Sequence, residues 1–234
     1  MQQNLDRIED ILFEIFVGRH PDDLGHLNDK YQQQTRNMIS GASLASFVSS
    51  LTTNNELLYA LKICSELSRP DPGLPVNQAL VIRDVQDIIK ILDMTFPTDQ
   101  QLLGILLRRN DSHIEQVALY FLTQTRRELY QAICQSLFLK TMTRKIAVHA
   151  IMTAENITYR DAMLLRDVRS RNSLMGSAND ELLGVRVCRF HWYTQHWRQV
   201  KAKYLGSKER EFVDTMNSTK NGLFRDLMVS MALV

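Results

Sequence analysis

One motif recurs three times in the sequence and limits the possible folds more than any other feature. An apolar stretch ends on arginine in ILFEIFVGR, QLLGILLRR and ELLGVRVCR. Aligned without gaps, the copies share one column of arginines and two apolar columns: Arg19, Arg109 and Arg189; Leu12, Leu102 and Leu182; Ile15, Ile105 and Val185. The arginines lie 90 and then 80 residues apart. That interval is long for a two-helix repeat and suits a unit of four or five helices.

The similarity continues downstream of the arginine. Tyr31 and Phe121 each lie twelve residues past it, and Ile39 and Leu129 lie eight further on. In the third copy, FHWYTQHW contains an insertion of three residues. After it, Tyr204 and Phe212 keep the same separation of eight residues. The repeat therefore extends over most of the chain.

The apolar residues between these landmarks follow helical spacing. The stripes are Ile8, Ile11, Leu12, Ile15 and Phe16; Val85, Ile88, Ile89 and Leu92; Ile114, Val117, Ala118 and Phe121. All five prolines lie at or before Pro97, and three of them fall in SRPDPGLPVNQ, residues 68–78. No long segment alternates apolar and polar residues as a half-buried strand does. The pattern predicts an all-α protein of many short helices with one Pro-rich linker.

Composition excludes several classes of protein. Hydrophobic residues make up 44% and charged residues 23%, as in folded globular domains. The 28 basic residues nearly balance 26 acidic ones, so we expect no nucleic-acid partner. Three cysteines without a CxxC pair indicate a reducing compartment, and we expect a cytoplasmic protein. The N-terminus lacks the order of a signal peptide, and no apolar run reaches the roughly 18 residues that span a bilayer.

The third unit resembles an annexin repeat in YRDAMLLRDVRS, in LMGSANDELLGVRVCR and from WRQVKAKY to the C-terminus. The second unit begins at IRDVQDIIKILD, and the first begins only at NLDRIEDILFEIFVGRH, without a leading helix. The resemblance implies right-handed repeats of four to five short helices in a curved array. The predicted parts are a partial repeat at 1–67, a linker at 68–79, and repeats at 80–153 and 154–234. Annexins generally have four repeats, so the chain is either a fragment or a shortened relative.

An annexin resemblance implies calcium-dependent binding to anionic phospholipid. The ion is held by carbonyl oxygens of a glycine-containing loop and one distant carboxylate, and Ca²⁺ requires six to eight oxygen ligands. In the second unit the loop ending at Thr98 has no glycine, and Ser136 replaces the carboxylate. In the third unit Gly176 is kept, but Thr219 stands at the acidic position. The first unit has Asn4-Leu5-Asp6-Arg7 in place of the loop. We therefore expect no tightly bound calcium and no other cofactor.

The remaining residues of those loops suggest a membrane-facing surface. Phe96 and Leu174 lie at predicted loop tips, and the predicted cations are Lys140, Arg144, Lys145 and Lys220. A Lys or Arg beside an anionic leaflet contributes roughly 1 kcal/mol. The predicted function is annexin-like peripheral phospholipid binding that does not depend on calcium. For any single lysine, ordinary solvation is the competing interpretation.

A second interpretation is a calcium-indifferent helical scaffold for a protein partner. The missing leading helix should leave Ile8, Ile11, Leu12 and Ile15 partly uncovered, and such an apolar patch is an association site. No phosphate loop, nucleophile elbow or paired-carboxylate motif occurs, so we predict no enzyme.

Three smaller features leave alternatives open. Cys188, His191 and His196 have a spacing that zinc ligands use, but a closed site would need a fourth ligand. Trp197, Val200 and Tyr204 fit the buried side of a helix better than a nucleic-acid stacking platform. At the end of the second motif, we expect Arg109 to compensate the negative helix end and Arg108 to be free for another role.

Overall fold

The computed structural model describes residues 2–35, 43–66, 69–71, 73–175, 178–191, 193–205 and 222–233. Most of these residues are helical, and no strand occurs among them. The predicted all-α fold is therefore confirmed. The helices are α1 (Gln2–Phe16), α2 (Pro21–Thr35), α3 (Leu44–Ser49), α4 (Asn55–Ser65), α5 (Gln78–Asp93), α6 (Asp99–Arg108), α7 (Asp111–Thr125), α8 (Leu129–Gln135), α9 (Thr141–Met175), α10 (Ala178–His191), α11 (Thr194–Leu205) and α12 (Gly222–Leu233).

The chain divides into two compact units at an irregularity inside α9. The units are residues 1–155 and 156–234. Asn156 has φ −164° and ψ 89°, which breaks the helix, and its side-chain oxygen accepts a hydrogen bond from the Tyr159 backbone N–H at 2.9 Å. Asn156 thus acts as an N-cap for the second segment of α9. The finer division into repeats at 1–67, 80–153 and 154–234, with a linker at 68–79, stays a prediction.

Side-chain caps define where several helices of the first unit begin. Ser43, Asn54, Asn77 and Asn110 precede α3, α4, α5 and α7, and each side chain accepts a hydrogen bond from a backbone N–H three residues on. Such a cap contributes about 1 kcal/mol of helix stability. The helices are therefore fixed locally as well as by packing.

The first apolar column of the motif lies in the core of its unit. Leu12, Leu102 and Leu182 are all buried. The second column lies at the edge of the core, because Ile15 and Ile105 are half-buried and Val185 is exposed. Only the first apolar column is buried in all three copies, as the repeat predicts.

Helix α1 buries a different face from the predicted one. Glu9, Asp10 and Glu14 are buried together with Phe13 and the predicted core residues Leu12 and Phe16. The acids are tolerated because they have partners: Glu9 accepts a hydrogen bond from the Thr52 hydroxyl, and Asp10 pairs with Lys145 at 2.6 Å. Ile8 is 38% exposed, and Ile11 and Ile15 are half-buried. The expected uncovered stripe thus exists without Leu12.

In the second unit, α11 supplies the core with the three residues predicted to be buried. Trp197, Val200 and Tyr204 are fully enclosed, which confirms their interpretation as core. The Trp197 indole N–H donates to the Met231 carbonyl of α12 at 3.0 Å, and Arg166 donates to the Tyr204 carbonyl at 2.7 Å. The aromatic side chains of this segment therefore hold helices together.

None of the helices in the described residues combines the length and the apolar character needed to cross a bilayer.

Candidate functional site

The arginine that closes α6 binds a buried carboxylate of α5. Arg109 donates from Nε to Asp84 Oδ2 at 2.7 Å and from Nη2 to Oδ1 at 3.2 Å, and His113 Nε2 lies 2.9 Å from Oδ2. Since the carboxylate only accepts, His113 carries its proton on Nε2. Arg109 is expected to compensate the negative end of its own helix, and that expectation is wrong because its partner is the Asp84 carboxylate of α5. Arg108 pairs with Glu66 at 2.8 Å, so the expectation that Arg108 is free is also wrong.

The second unit builds a similar cluster around Asp161. His196 Nε2 lies 2.8 Å from Asp161 Oδ2, and Arg160 donates to Oδ1 at 2.8 Å. Burial alone would raise the pKa of Asp161, but the hydrogen bond with His196 and the charges of Arg160 and Arg189 lower it. Both clusters share a sequence signature, because an Arg-Asp pair occurs in IRDVQD, which contains Asp84, and in YRDAML, which contains Asp161. His113 lies four residues past Arg109, and His196 lies seven past Arg189 because of the three-residue insertion.

These clusters are structural, and they change the interpretation of the Cys/His group. The ring of His196 is engaged by Asp161, while Cys188 is exposed and His191 packs edge-on against Trp197 at 6.5 Å. Across the described part of the chain, no group of three or more His, Cys, Asp or Glu side chains is arranged to hold a metal ion.

Two connections of the first unit carry the predicted calcium-site positions. Residues 94–98 join α5 to α6, and residues 136–140 join α8 to α9. The backbone N–H of Lys140 donates to Asp99 Oδ1 at 3.1 Å, which ties the second connection to the start of α6. We call residues 94–98 and 136–140 the loop pair.

The loop pair exposes large apolar side chains. Phe96 is 90% exposed and Leu137 is 88% exposed, more than any other large apolar residue in the described chain, and Phe138 is 52% exposed. Leu139, between Phe138 and Lys140, is buried and anchors the second loop. Sequence reasoning found Phe96 but missed Leu137 and Phe138, because a short apolar run gives no sign of which residues turn outward.

The loop pair does not fit a calcium ion. No residue from 94 to 98 has a positive φ, and the only such residues described are Gly18 and Arg126, so the loop lacks the conformations that turn successive carbonyls inward. Ser136 offers no carboxylate. The carbonyl oxygens of Cys134 and Ser136 instead accept hydrogen bonds from Arg144 Nη1 at 3.4 and 3.3 Å. Arg144 thus places a positive charge beside the Ser136 position, where a calcium site would require a negative ligand.

The predicted lysines in and near the loop pair form ion pairs, whereas the neighbouring arginines do not. Lys140 pairs with Glu56, and that hydrogen bond raises the pKa of Lys140. Lys145 pairs with the buried Asp10. Arg144 donates to loop carbonyls and to the Thr141 hydroxyl, and Arg127 donates from Nη2 to the side-chain oxygen of Gln135 at 2.8 Å. Neither Arg127 nor Arg144 pairs with a carboxylate among the residues that the structure describes.

A cavity of about 500 Å³ opens next to the second loop. Its apolar wall is Ile89, Leu92, Phe121, Ala132, Leu137 and Phe138. Its polar wall is Asp93, Thr125, Arg127, Gln135 and Ser136. The cavity therefore combines an apolar interior with one of the two unpaired guanidinium groups.

The other predicted site residues belong to the third predicted repeat. Gly176, Thr219 and Lys220 lie outside the described residues. Leu174 belongs to α9, and its side chain is likewise outside the description. The membrane-facing role of each predicted residue stays a prediction.

Comparison with known proteins finds annexins and an alpha-giardin among the similar proteins. No family model matches the chain. Annexin A4 of Rattus norvegicus is 28% identical over 126 residues, which are 53% of this chain and 37% of annexin A4. A mutant annexin A8 superposes with a TM-score of 0.77 at 16% identity, over 96% of this chain and 66% of that one. Chicken annexin V gives 0.74 at 18% identity, again over 96% and 66%. Calcium-bound alpha-11 giardin gives 0.71 at 14% identity, over 97% and 70%.

The chain spans just over a third of annexin A4 and just under two thirds of the annexin A8 and annexin V structures. These superpositions cover nearly the whole of this chain and agree with the all-helical structure described above. The chain therefore has an annexin-like fold.

Proposed function

We propose that this chain is a peripheral membrane-binding protein that attaches to anionic phospholipid through the loop pair without bound calcium. The observation that carries the proposal is the exposure of Phe96 and Leu137 on two loops tied together through Asp99 and Lys140. The annexin-like fold supports it, since annexins bind phospholipid membranes. The proposed location is the cytoplasmic face of a membrane, and the proposal includes no catalytic step and no nucleic-acid partner.

The energetics favour attachment through several weak contributions. Burying an exposed side chain the size of Phe or Leu in an apolar environment stabilises by about 1.5–3 kcal/mol. Each nearby cation adds roughly 1 kcal/mol against an anionic leaflet. Lys140 and Arg144 are retained as such cations, Lys140 because its side chain stays 61% exposed beside Glu56, and Arg127 joins them. Lys145 would first have to leave its pair with Asp10, so we propose an internal structural role for it.

The calcium-bound giardin shows that a protein of this fold can hold calcium. In this chain the contacts of Arg144 with the loop carbonyls support a calcium-independent arrangement at the second predicted repeat. Leu174 and Lys220 remain our proposal for the membrane-facing residues of the third predicted repeat.

Co-sedimentation with phosphatidylserine vesicles in the presence of chelator tests which residues attach the protein. Phe96→Ser and Leu137→Ser should each weaken binding about tenfold or more, because each removes the apolar group that enters the bilayer. Leu119→Ser is the matched control, since Leu119 is also exposed but lies in α7, outside both loops. Equal binding by all three variants and the unmodified chain would contradict the proposal.

The second candidate function is a scaffold that holds a protein partner. The half-covered stripe of Ile8, Ile11 and Ile15 on α1 supports it. Sedimentation velocity should then detect a concentration-dependent complex that Ile8→Lys abolishes, and the vesicle assay should give no binding with or without calcium.

A further inference from the structure

We propose that the cavity beside the second loop is a binding site for a single phospholipid. The phosphodiester would lie against Arg127 and Arg144, and the glycerol and first acyl carbons would enter the apolar cavity. The inference rests on the proposed function and adds the lipid site to it.

The arginines supply the charge for a phosphodiester. Arg144 lies within hydrogen-bond distance of the Ser136 carbonyl, and Arg127 reaches the side chain of the neighbouring Gln135, so both guanidinium groups flank the same turn. Nε and Nη1 of Arg127 and Nε of Arg144 have no hydrogen-bond partner among the described residues. Planar guanidinium groups bind phosphate oxygens through paired, charge-assisted hydrogen bonds. The hydrogen bonds already present hold both side chains in place.

The cavity supplies a space for the apolar part of the same molecule. Its volume of about 500 Å³ falls within the range of small-molecule sites, roughly 300–1,000 Å³. Its lining combines the buried or half-buried Ile89, Leu92 and Phe121 with the exposed Leu137 and Phe138 of the second loop. If Leu137 enters a bilayer, the mouth of the cavity reaches the depth of the lipid headgroups.

One acidic residue narrows the choice of headgroup. Asp93 lines the cavity, is exposed, and has no ion-pair partner among the described residues. A second anionic group near it would be repelled, whereas an ammonium group beside the phosphate would be attracted. Phosphatidylserine supplies a phosphodiester for the two arginines and an ammonium for Asp93, provided that its carboxylate points away from Asp93 toward solvent.

Isothermal titration of the full chain with dihexanoyl phosphatidylserine below its micelle concentration, in chelator, tests the inference. We expect saturable binding of one lipid per chain. Glycerophosphoserine, inorganic phosphate and hexanoate, which each lack part of the ligand, should bind at least about tenfold more weakly. Equal binding of inorganic phosphate would mean a simple anion site and would overturn the assignment.

Variants test the residues. Arg127→Gln should weaken lipid binding about tenfold, because it removes charge-assisted hydrogen bonds. Arg126→Gln is the matched control, since it removes the same charge one residue away at an exposed side chain outside the cavity lining, and it should change affinity less than about twofold. Phe138→Ser should also weaken binding, with circular dichroism confirming that each variant is folded. Equal effects of Arg126→Gln and Arg127→Gln would contradict the site.

The two proposals fail in different ways. Vesicle binding without saturable binding of the short-chain lipid would overturn the lipid site and leave peripheral attachment standing. Binding of the short-chain lipid without vesicle binding would overturn the attachment and leave the lipid site.

Discussion

Replacement of Asp84 by asparagine tests the cluster that joins α5, α6 and α7. The carboxylate is only 4% exposed and accepts three hydrogen bonds, two from Arg109 and one from His113. The asparagine side chain would have a similar size but no charge, and it would offer one acceptor oxygen where Asp84 offers two. The guanidinium group of Arg109 would then lose its counter-ion.

The magnitude follows from the exposure of the partners. Removing one member of a buried ion pair costs about 3–5 kcal/mol when the remaining charge is fully buried. Arg109 is 27% exposed and can recover part of its hydration. Burial lowers the pKa of His113, so its neutral ring needs no counter-charge. We therefore expect the free energy of unfolding of the first unit to fall by about 2–3 kcal/mol.

Urea unfolding followed by far-ultraviolet circular dichroism measures the change. Tryptophan fluorescence would not report it, because both tryptophans, Trp192 and Trp197, lie in the second unit. The matched control is Asp87→Asn, one turn further along α5, where the carboxylate is 41% exposed and its closest contacts with Arg83 and Lys90 are 3.9 and 3.7 Å. Asp87→Asn should cost less than about 0.5 kcal/mol. Equal losses from the two substitutions would refute the structural role assigned to the cluster.

Three further predictions concern other parts of the chain. Gly18→Ala should destabilise the first unit by about 1–3 kcal/mol in the same urea assay, because Gly18 has φ +76° and an added Cβ would lie 2.7 Å from the Thr153 side chain; an unchanged midpoint would contradict this. Burial raises the pKa of the Cys64 thiol to about 12, so Ellman's reagent should label two of the three cysteines in the native protein and the third only on unfolding; three native thiols would contradict it. The pKa of Asp161 is lowered in the folded protein, so Asp161 contributes stability above its ordinary pKa of 3.8, and this stability is lost as the pH falls through the folded-state pKa. Asp161→Asn should therefore flatten the loss of stability below about pH 4, measured by tryptophan fluorescence. A loss as steep as in the unmodified protein would exclude Asp161 as its cause.

Much of the fold was predictable because the repeat fixes where apolar residues recur. Leu102 and Trp197 are buried as their spacing indicated. The buried face of α1 was not predictable in the same way. Apolar spacing cannot reveal that Asp10 will meet Lys145, which is distant in sequence, and that this pairing makes burial of a carboxylate tolerable.

The candidate site was only partly visible in the sequence for a similar reason. The sequence shows directly that the loop ending at Thr98 lacks glycine and that Ser136 stands at the acidic position, and both indicate a degenerate calcium site. The contact of Arg144 with the Ser136 carbonyl and the outward direction of Leu137 depend on how the second loop turns. That turn is set by tertiary packing around Leu139, which a single sequence does not specify.

The calcium dependence of membrane binding tests the central claim most directly. Binding of the unmodified chain to phosphatidylserine vesicles should be measured at fixed ionic strength, once with chelator and once with millimolar calcium. We predict the same affinity within about twofold in both conditions, and a decline as salt is raised, because guanidinium groups and apolar loop residues supply the attraction. Binding that appears only with calcium and is released by chelator would contradict the claim.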